Sequence, residues 1–214
     1  MPETAPPSPQ EIQDLEAIAA AVKICTRCRL AQGRTNAVPG DGNPHAEVMF
    51  IGEGPGKNED LQGKPFVGAA GKFLQEMLES IGMDRKDVFI TNVVKSRPPN
   101  NRDPLPDEVA ACTSAWLGPQ VKLIDPVVIV LLGRHSLGHF IPNKRISVCH
   151  GKPMRALAPD GVRRVFFPLY HPAAALYNGS LRGTLMEDFK KIPAVLKAAK
   201  EQHQKEKLLR EMQG

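Results

Sequence analysis

Four uninterrupted apolar runs, each too short for a buried helix and each followed by a helical pattern, constrain this 214-residue chain more than any other feature. They are "EVMFIG" (47–52), "VFITNVV" (88–94), "PVVIVLLG" (126–133) and "RRVFFPLYH" (163–171). A strand that is apolar without alternation is buried on both faces. Such strands alternating with helices indicate a parallel sheet with helices on both sides. Between them, "GKFLQEMLESIG" places apolar residues at 73, 74, 77, 78 and 81, one face of a helix. Ser8, Pro9 and Glu11 have the form of a capping box with proline at the first helical position, opening a helix through "IQDLEAIAAAV". Asp107 is read as the cap of a helix carrying Val109, Cys112 and Trp116, "HSLGHFI" as a short helix, and residues 184–212 as a charged amphipathic helix interrupted at Pro193.

In a sheet of this kind ligands bind beyond the carboxyl ends of the strands, so the strand-ending residues carry the functional information. They are "GEGPG", "TNVVK", "LGRHS" and "YHPAAAL". The first is not a phosphate cradle. Three residues separate Gly52 from Gly56, Asn58 follows Lys57, and neither the Walker spacing nor the dinucleotide fingerprint is met. Its glycines therefore serve close main-chain approach to something else. Asn92, His171 and this loop could converge on one pocket offering amide donors, an amide side chain and an imidazole. That inventory suits a planar polar heterocycle.

A net charge of +5 and a pI near 9.1 point to an acidic partner, of which nucleic acid is the commonest. The basic tail "KAAKEQHQKEKLLR" is read as a solvated helix face rather than a DNA grip. No run of 18 apolar residues occurs, and "MPETAPPSPQ" lacks the basic and apolar regions of a signal peptide. The expectation is a cytoplasmic protein without membrane contact, with residues 1–8 a disordered lead-in, 9–200 one domain, and 201–214 a charged helical extension. Of the four cysteines, Cys25 and Cys28 form "CTRC", while Cys112 and Cys149 stand apart. In a reducing compartment these are metal ligands or inert core thiols rather than disulfides. A CxxC pair alone fits a redox dithiol, half a zinc site or two ligands of an iron-sulfur cluster.

The segments "GEGPGKNED", "GKPFVGAAG", "TNVVKSRPPNNR" and "HPAAAL", in that order, with the upstream CxxC and Cys112, resemble the uracil-DNA glycosylase superfamily. They are most similar to its iron-sulfur-containing family 4. The resemblance covers roughly residues 15 to 195. It implies a three-layer α/β/α fold around a four-stranded parallel sheet, and a monomeric hydrolase of base excision repair acting on uracil in single- or double-stranded DNA. The base would be flipped from the stack and read on its Watson–Crick edge. By this resemblance Phe66 stacks on uracil, and Asn92 accepts from N3–H and donates to O4. His171 donates to O2 as charge grows on the departing base, with the backbone of Glu53 and Gly54 beside it and Gly52 letting the main chain approach. Gly54 stands where other branches carry a water-orienting Asp. Glu53 and Glu59 are the nearest carboxylates, and either could hold water. Leu176, Tyr177 and Arg182 are candidates to wedge the vacated space and hold phosphates.

The resemblance also implies a four-iron, four-sulfur cluster on Cys25, Cys28, Cys112 and a fourth cysteine at position 96, where this chain has Ser96. Ser96 as a direct ligand ranks first. Cys149 as a replacement, a three-iron cluster, or an engineered serine are the other outcomes. His135, His139 and His150 match no family role and are expected to be surface or core residues. Two further functions compete: a uracil-DNA binding protein with little turnover, and a non-catalytic iron-sulfur protein that binds nucleic acid. The branch that traps its product through a histidine in an extra loop after the second strand is not matched, because "KSRPPNNRDPLPDE" has neither insertion nor histidine.

Overall fold

The computed structural model describes residues 14–213, apart from some side chains of the last helix. In chain order the elements are α1 (Leu15–Lys23), β1 (Asp41–Gly42), β2 (Val48–Gly52), α2 (Lys57–Gln62), α3 (Ala69–Glu79), β3 (Phe89–Asn92), α4 (Pro106–Cys112), α5 (Gly118–Ile124) and β4 (Val128–Leu132). They continue with α6 (Arg134–Phe140), α7 (Ile146–Cys149), β5 (Met154–Leu157), β6 (Arg163–Leu169), α8 (Pro172–Tyr177), α9 (Ser180–Phe189) and α10 (Ile192–Gln213). The four apolar runs form the parallel centre of the sheet, in the order β3-β2-β4-β6. Every residue of β2, β3 and β4 is buried, as strands covered on both faces require. Six strands are present rather than four, because β1 and β5 add antiparallel edges to β3 and β6. Neither edge has an apolar run: β1 is an Asp-Gly pair, and "MRAL" in β5 alternates half-buried and exposed positions.

Alternation along β2 divides the core. Met49 and Ile51 join Ile18, Val22, Trp116 and Leu117 on one face, while Val48 and Phe50 join Phe73, Met77, Leu185 and Phe189 on the other. The Phe50 ring stacks on Phe189 at 5.6 Å with both residues fully buried, so truncation of Phe50 to Ala should cost about 3–5 kcal/mol.

Three element boundaries differ from the sequence expectation. Asp14, extended at φ −145°, caps α1 by accepting from the Ala17 amide at 2.7 Å, and the Ser8–Glu11 capping box lies outside the described residues. Leu105, not Asp107, precedes α4. Pro106 takes the first helical position, and Glu108 reaches back to the Leu105 amide at 2.8 Å while Arg102 pairs with its carboxylate at 2.6 Å. The tail breaks at Lys190–Lys191, and Pro193 is the second residue of α10, where its missing N–H costs nothing. Between α4 and α5, Thr113–Leu117 form a wide π turn that carries Trp116.

Strand order fixes where a ligand can sit. The chain passes from β2 outward to β3, then crosses to β4 on the other side, so the topological switch lies between β2 and β4. The loops that open there are 53–56 and 133–134, and the β3 end lies alongside.

Candidate functional site

Beyond β2 the parallel ladder continues into the loop. Val93 N–H donates to Gly52 O at 3.0 Å and Val94 N–H to Glu53 O at 3.1 Å, so the Gly-rich loop is held to the segment after Asn92. The glycines there are required by contact. A Cβ on Gly52 would lie 2.4 Å from Asn92 Oδ1 and 2.8 Å from Phe66 Cζ, and one on Gly54 would lie 2.8 Å from Val94 Cγ2. Phe66 is held at φ +51°, in the left-handed region that non-glycine residues rarely occupy. Arg85 stabilises that turn by donating to Phe66 O at 3.1 Å and Pro65 O at 2.7 Å, and Gly71 leaves room for the Phe66 carbonyl, 1.8 Å from where a Cβ would be. The Phe66 ring is thereby set against the His171 imidazole, centroids 5.6 Å apart and planes 27° apart.

These groups line one open cleft of about 660 Å³, with Glu53, Gly54, Glu59, Phe66, Asn92 and His171 on its walls and Tyr177 at its edge. Asn92 is 2% exposed, and its buried Oδ1 has no hydrogen-bond partner among the described residues. An orphan acceptor of this kind costs free energy unless a ligand supplies the donor. His171 begins α8, where its Nδ1 accepts from the Ala173 amide at 3.1 Å. The proton of the neutral ring therefore sits on Nε2, and burial pulls the pKa down to about 4 against the opposing pull of Glu59. The imidazole is a neutral donor at physiological pH.

The two carboxylates differ. Glu59 Oε1 accepts from the amides of Val67 and Gly68 at 2.9 and 2.8 Å, which commits it to the turn that opens α3. Glu53 is about one-third exposed, and burial raises its pKa, while His135 and Arg134 nearby act to lower it and Asp103 to raise it. His135 Nε2 lies 3.7 Å from Glu53 and 3.1 Å from Asp103, which Arg134 also pairs with at 2.8 Å. Among the described residues, Glu53, Asp103 and His135 are the one set of three potential ligand groups within 4.8 Å of each other. His135 is partly exposed and does not line that cleft; it stands behind Glu53 in an adjoining cavity of about 410 Å³ that Val109, Arg134 and His139 also line. His139 is partly buried against Phe140, and His150 Nδ1 meets Asp188 at 2.5 Å away from the cleft.

Of the DNA-contact candidates, Tyr177 is 92% exposed and Leu176 half-exposed, both on α8 just beyond His171. Arg182 is already occupied, paired with Glu76 and lying 4.2 Å over the Phe73 ring.

The cysteine region lies behind β3. Cys28 and Cys112 share a hydrogen bond that lowers the Cys28 thiol to about 6 and, with burial, raises that of Cys112. Trp116 Nε1 donates to Cys25 Sγ at 3.3 Å, and the Lys95 amide reaches Cys112 Sγ at 3.5 Å. Ser96 is buried, and its Oγ accepts from Arg34 at 3.0 Å. The thiols do not close to the spacing of a single-ion site. Cys149 ends α7, which packs on β6, and donates to Arg145 O at 3.0 Å. β6 stands three strand spacings, about 14 Å, from β3.

Two groups escaped the sequence reading. His135 belongs to "LGRHS", a strand end already marked as ligand-facing, so position alone could have flagged it. Lys95 is fully buried, with its Nζ donating to Thr91 Oγ1, Asn92 O and Gln120 Oε1 at 2.6, 2.8 and 2.7 Å. Nothing in "TNVVK" signals a buried cation.

The uracil DNA glycosylase superfamily model matches residues 39–197. Relatives of high similarity carry the name Type-4 uracil-DNA glycosylase. The protein of Sulfurisphaera tokodaii is 52% identical over 85% of this chain and 84% of its own length, and that of Saccharolobus solfataricus is 48% identical over 86% and 88%. A third, from Thermotoga maritima, is 44% identical over 86% of this chain and 95% of its own. With the sheet order, the cleft at its switch point and these matches in agreement over most of the sequence, the chain belongs to the uracil DNA glycosylase superfamily.

Proposed function

We propose that the protein is a uracil-DNA glycosylase that takes uracil out of the DNA stack and hydrolyses its N-glycosidic bond, leaving an abasic site. The observation that carries this reading is the buried, unpartnered Oδ1 of Asn92 in the cleft wall. Uracil presents N3–H to such an acceptor and O4 to the amide nitrogen beside it, whereas cytosine presents an acceptor and a donor in the reverse arrangement. Phe66 offers an aromatic platform, worth about 1–3 kcal/mol per stacked base.

In the chemical step the glycosidic electrons pass to the uracil ring and negative charge gathers on O2. His171 Nε2–H is the donor for that oxygen, and its neutrality means that it stabilises charge by hydrogen bonding without surrendering a proton. The Glu53 and Gly54 amides lie on the same wall. Glu53 is the freer carboxylate and takes the role of facing the attacking water, with Glu59 acting as a positioning residue for the Phe66 turn. Tyr177 is the wedge candidate. With Arg182 engaged by Glu76, its help to phosphates would require that pair to open.

A four-iron, four-sulfur cluster fits the donors behind β3. Cys25, Cys28 and Cys112 are free thiols, and the Trp116 and Lys95 N–H groups point at sulfur as they would at bound thiolates. These three cysteines would hold such a cluster as thiolates. Ser96 would be the fourth ligand, with Arg34 beside it to favour an alkoxide. When bound, the cluster supplies a cross-link between α1, the loop after β3 and α4 rather than a reactive centre. We assign residues 9–200 to the glycosylase domain and 201–214 to an extension, since Ala199 is the last buried position of α10 among the described residues.

The test is incubation with a uracil-containing oligonucleotide, single- and double-stranded, followed by alkaline cleavage of abasic sites. Scission at uracil and none at cytosine is expected. Intact strands after prolonged incubation would remove the enzymatic reading.

A further inference from the structure

The Lys95 ammonium lies in the core between the base-reading strand end and the cysteine region. All three of its neighbours accept. Asn92 O is a carbonyl, Gln120 Oε1 is fixed as acceptor because Nε2 donates to Pro39 O at 2.8 Å, and Thr91 Oγ1 donates its own proton to Pro39 O at 3.0 Å. Three acceptors at 2.6–2.8 Å call for three N–H donors, which an ammonium supplies and a neutral amine does not. No carboxylate pairs with it among the described residues. A fully buried cation without a carboxylate is costly, a cost its three hydrogen bonds must offset.

The same residue makes two more contacts through its main chain. Its N–H points at Cys112 Sγ at 3.5 Å, and its carbonyl accepts from Val38 N–H at 2.7 Å. One residue thus grips the Asn92 carbonyl with its side chain and the cysteine-bearing helix α4 with its backbone. Asn92 has no side-chain bond of its own through Oδ1, so its aim depends on the strand end that carries it.

We propose that Lys95 is a positioning residue, whose buried ammonium fixes the β3 end bearing Asn92 while its amide ties that end to Cys112, so that base reading and the three-cysteine unit share one rigid segment. The proposal deepens the glycosylase reading and rests on it for the role of Asn92.

Lys95→Met keeps the chain length and deletes the three donors. Two readouts separate the possibilities. Amide hydrogen exchange across residues 89–98 should quicken in the variant whether or not uracil is excised. Unchanged exchange overturns the proposal, while a wild-type chain that cuts no uracil-containing DNA fails the glycosylase reading instead. In single-turnover excision, Lys95→Met should lose on the order of 100-fold in rate, as misplacement of a reactive contact by about 1 Å does. DNA binding should change little. A purely structural role predicts that this loss multiplies with that of Asn92→Ala, whereas the proposal predicts that the double variant is no slower than Asn92→Ala alone. Iron per chain after anaerobic purification should fall below wild type, since the Cys112 contact is loosened; full multiplication of the two losses with unchanged iron content overturns the proposal. If Lys95→Met does not fold, Gln120→Leu removes one of the three acceptors and leaves Lys95 and Asn92 in place. It should slow excision in the same sense by about tenfold, again with no further loss in the Asn92→Ala background, and a wild-type rate would overturn the proposal.

Discussion

Gly52 and Asn92 pack so closely that a single added carbon on Gly52 would lie 2.4 Å from the Asn92 amide oxygen. The register Gly52↔Asn92 between parallel β2 and β3 creates this contact, and Phe66 closes the same space from the other side at 2.8 Å. The last residue of each strand therefore fixes how close the two strand ends stand behind the cleft. Gly52→Ala should reduce uracil excision by on the order of 100-fold while the protein remains folded, because Asn92 and Phe66 must both move to admit the methyl group. Single-turnover rates alongside a thermal melt check it. An active Gly52→Ala variant would mean that Asn92 does not set the base position.

Asn92→Asp replaces the amide donor by a second acceptor. Uracil O4 then faces an oxygen, and cytosine N4–H₂ finds a partner when the carboxylate is ionised. Excision from uracil-containing strands should drop by about 100-fold or more, with cytosine excision rising from background. Comparing the two substrates at one enzyme concentration is decisive, since a general folding defect would lower both.

His171 supplies a pH signature. Its folded pKa, about 4, lies below the ordinary histidine range, so between the two values the folded protein binds fewer protons than the unfolded chain. The stability it contributes is fully present above the unfolded value near 6.5 and is lost as pH falls toward 4. His171→Ala should flatten that part of a denaturation-against-pH curve. It should also lower the single-turnover rate by about 10²–10³, the usual cost of one lost donor to a developing anion, with less change in DNA affinity. A wild-type rate with a histidine-free cleft would place the leaving-group donor elsewhere.

Tyr177 stands 92% exposed on the same short helix that His171 opens. An exposed aromatic at a cleft rim has little folding value, so Tyr177→Ala should leave stability within about 0.5 kcal/mol of wild type. On duplex DNA, where the vacated stack must be filled, excision should fall more than on single strands. Equal losses on both substrates would make Tyr177 a simple contact residue. Arg182→Ala, by contrast, should lower stability on both accounts of its packing on Phe73 and its pair with Glu76.

How much of this was legible in the sequence depended on how local the cause was. The buried parallel strands announced themselves because burial on both faces leaves an apolar run. β5 did not, since an edge strand with one wet face and four residues has no such run. Asn92, His171 and the Gly-rich loop could be found because strand ends in a parallel sheet are where ligands bind. The cage around Lys95 could not, because Pro39 and Gln120 come from distant segments and only the folded chain makes them its neighbours. Helix starts failed for a related reason: at α4 the proline chose the first helical position and Glu108 the cap contact, leaving Asp107 free to pair with Arg29 at 2.8 Å.

The proposed iron-sulfur site offers the sharpest contrast between two residues, Ser96 and Cys149. Ser96 lies one residue beyond Lys95, whose amide meets Cys112, and is touched by the Arg34 guanidinium, which also lies close enough to Cys28 to lower its pKa. Cys149 shares the core layer of the other cysteines but sits against β6, at the opposite end of the parallel strands from β3, its thiol already given to the Arg145 carbonyl. Burial raises the Cys149 pKa, as expected of an inert core thiol rather than a ligand thiolate. An alkoxide corner binds iron less firmly than a thiolate corner, so Ser96→Cys should slow the loss of iron on exposure to oxidant, measured as decay of the visible absorption and iron released per chain. Cys149→Ser should leave both unchanged. Reversal of that order, with iron content following Cys149 and indifferent to residue 96, would require α7 to leave β6 and would make Cys149 the fourth ligand.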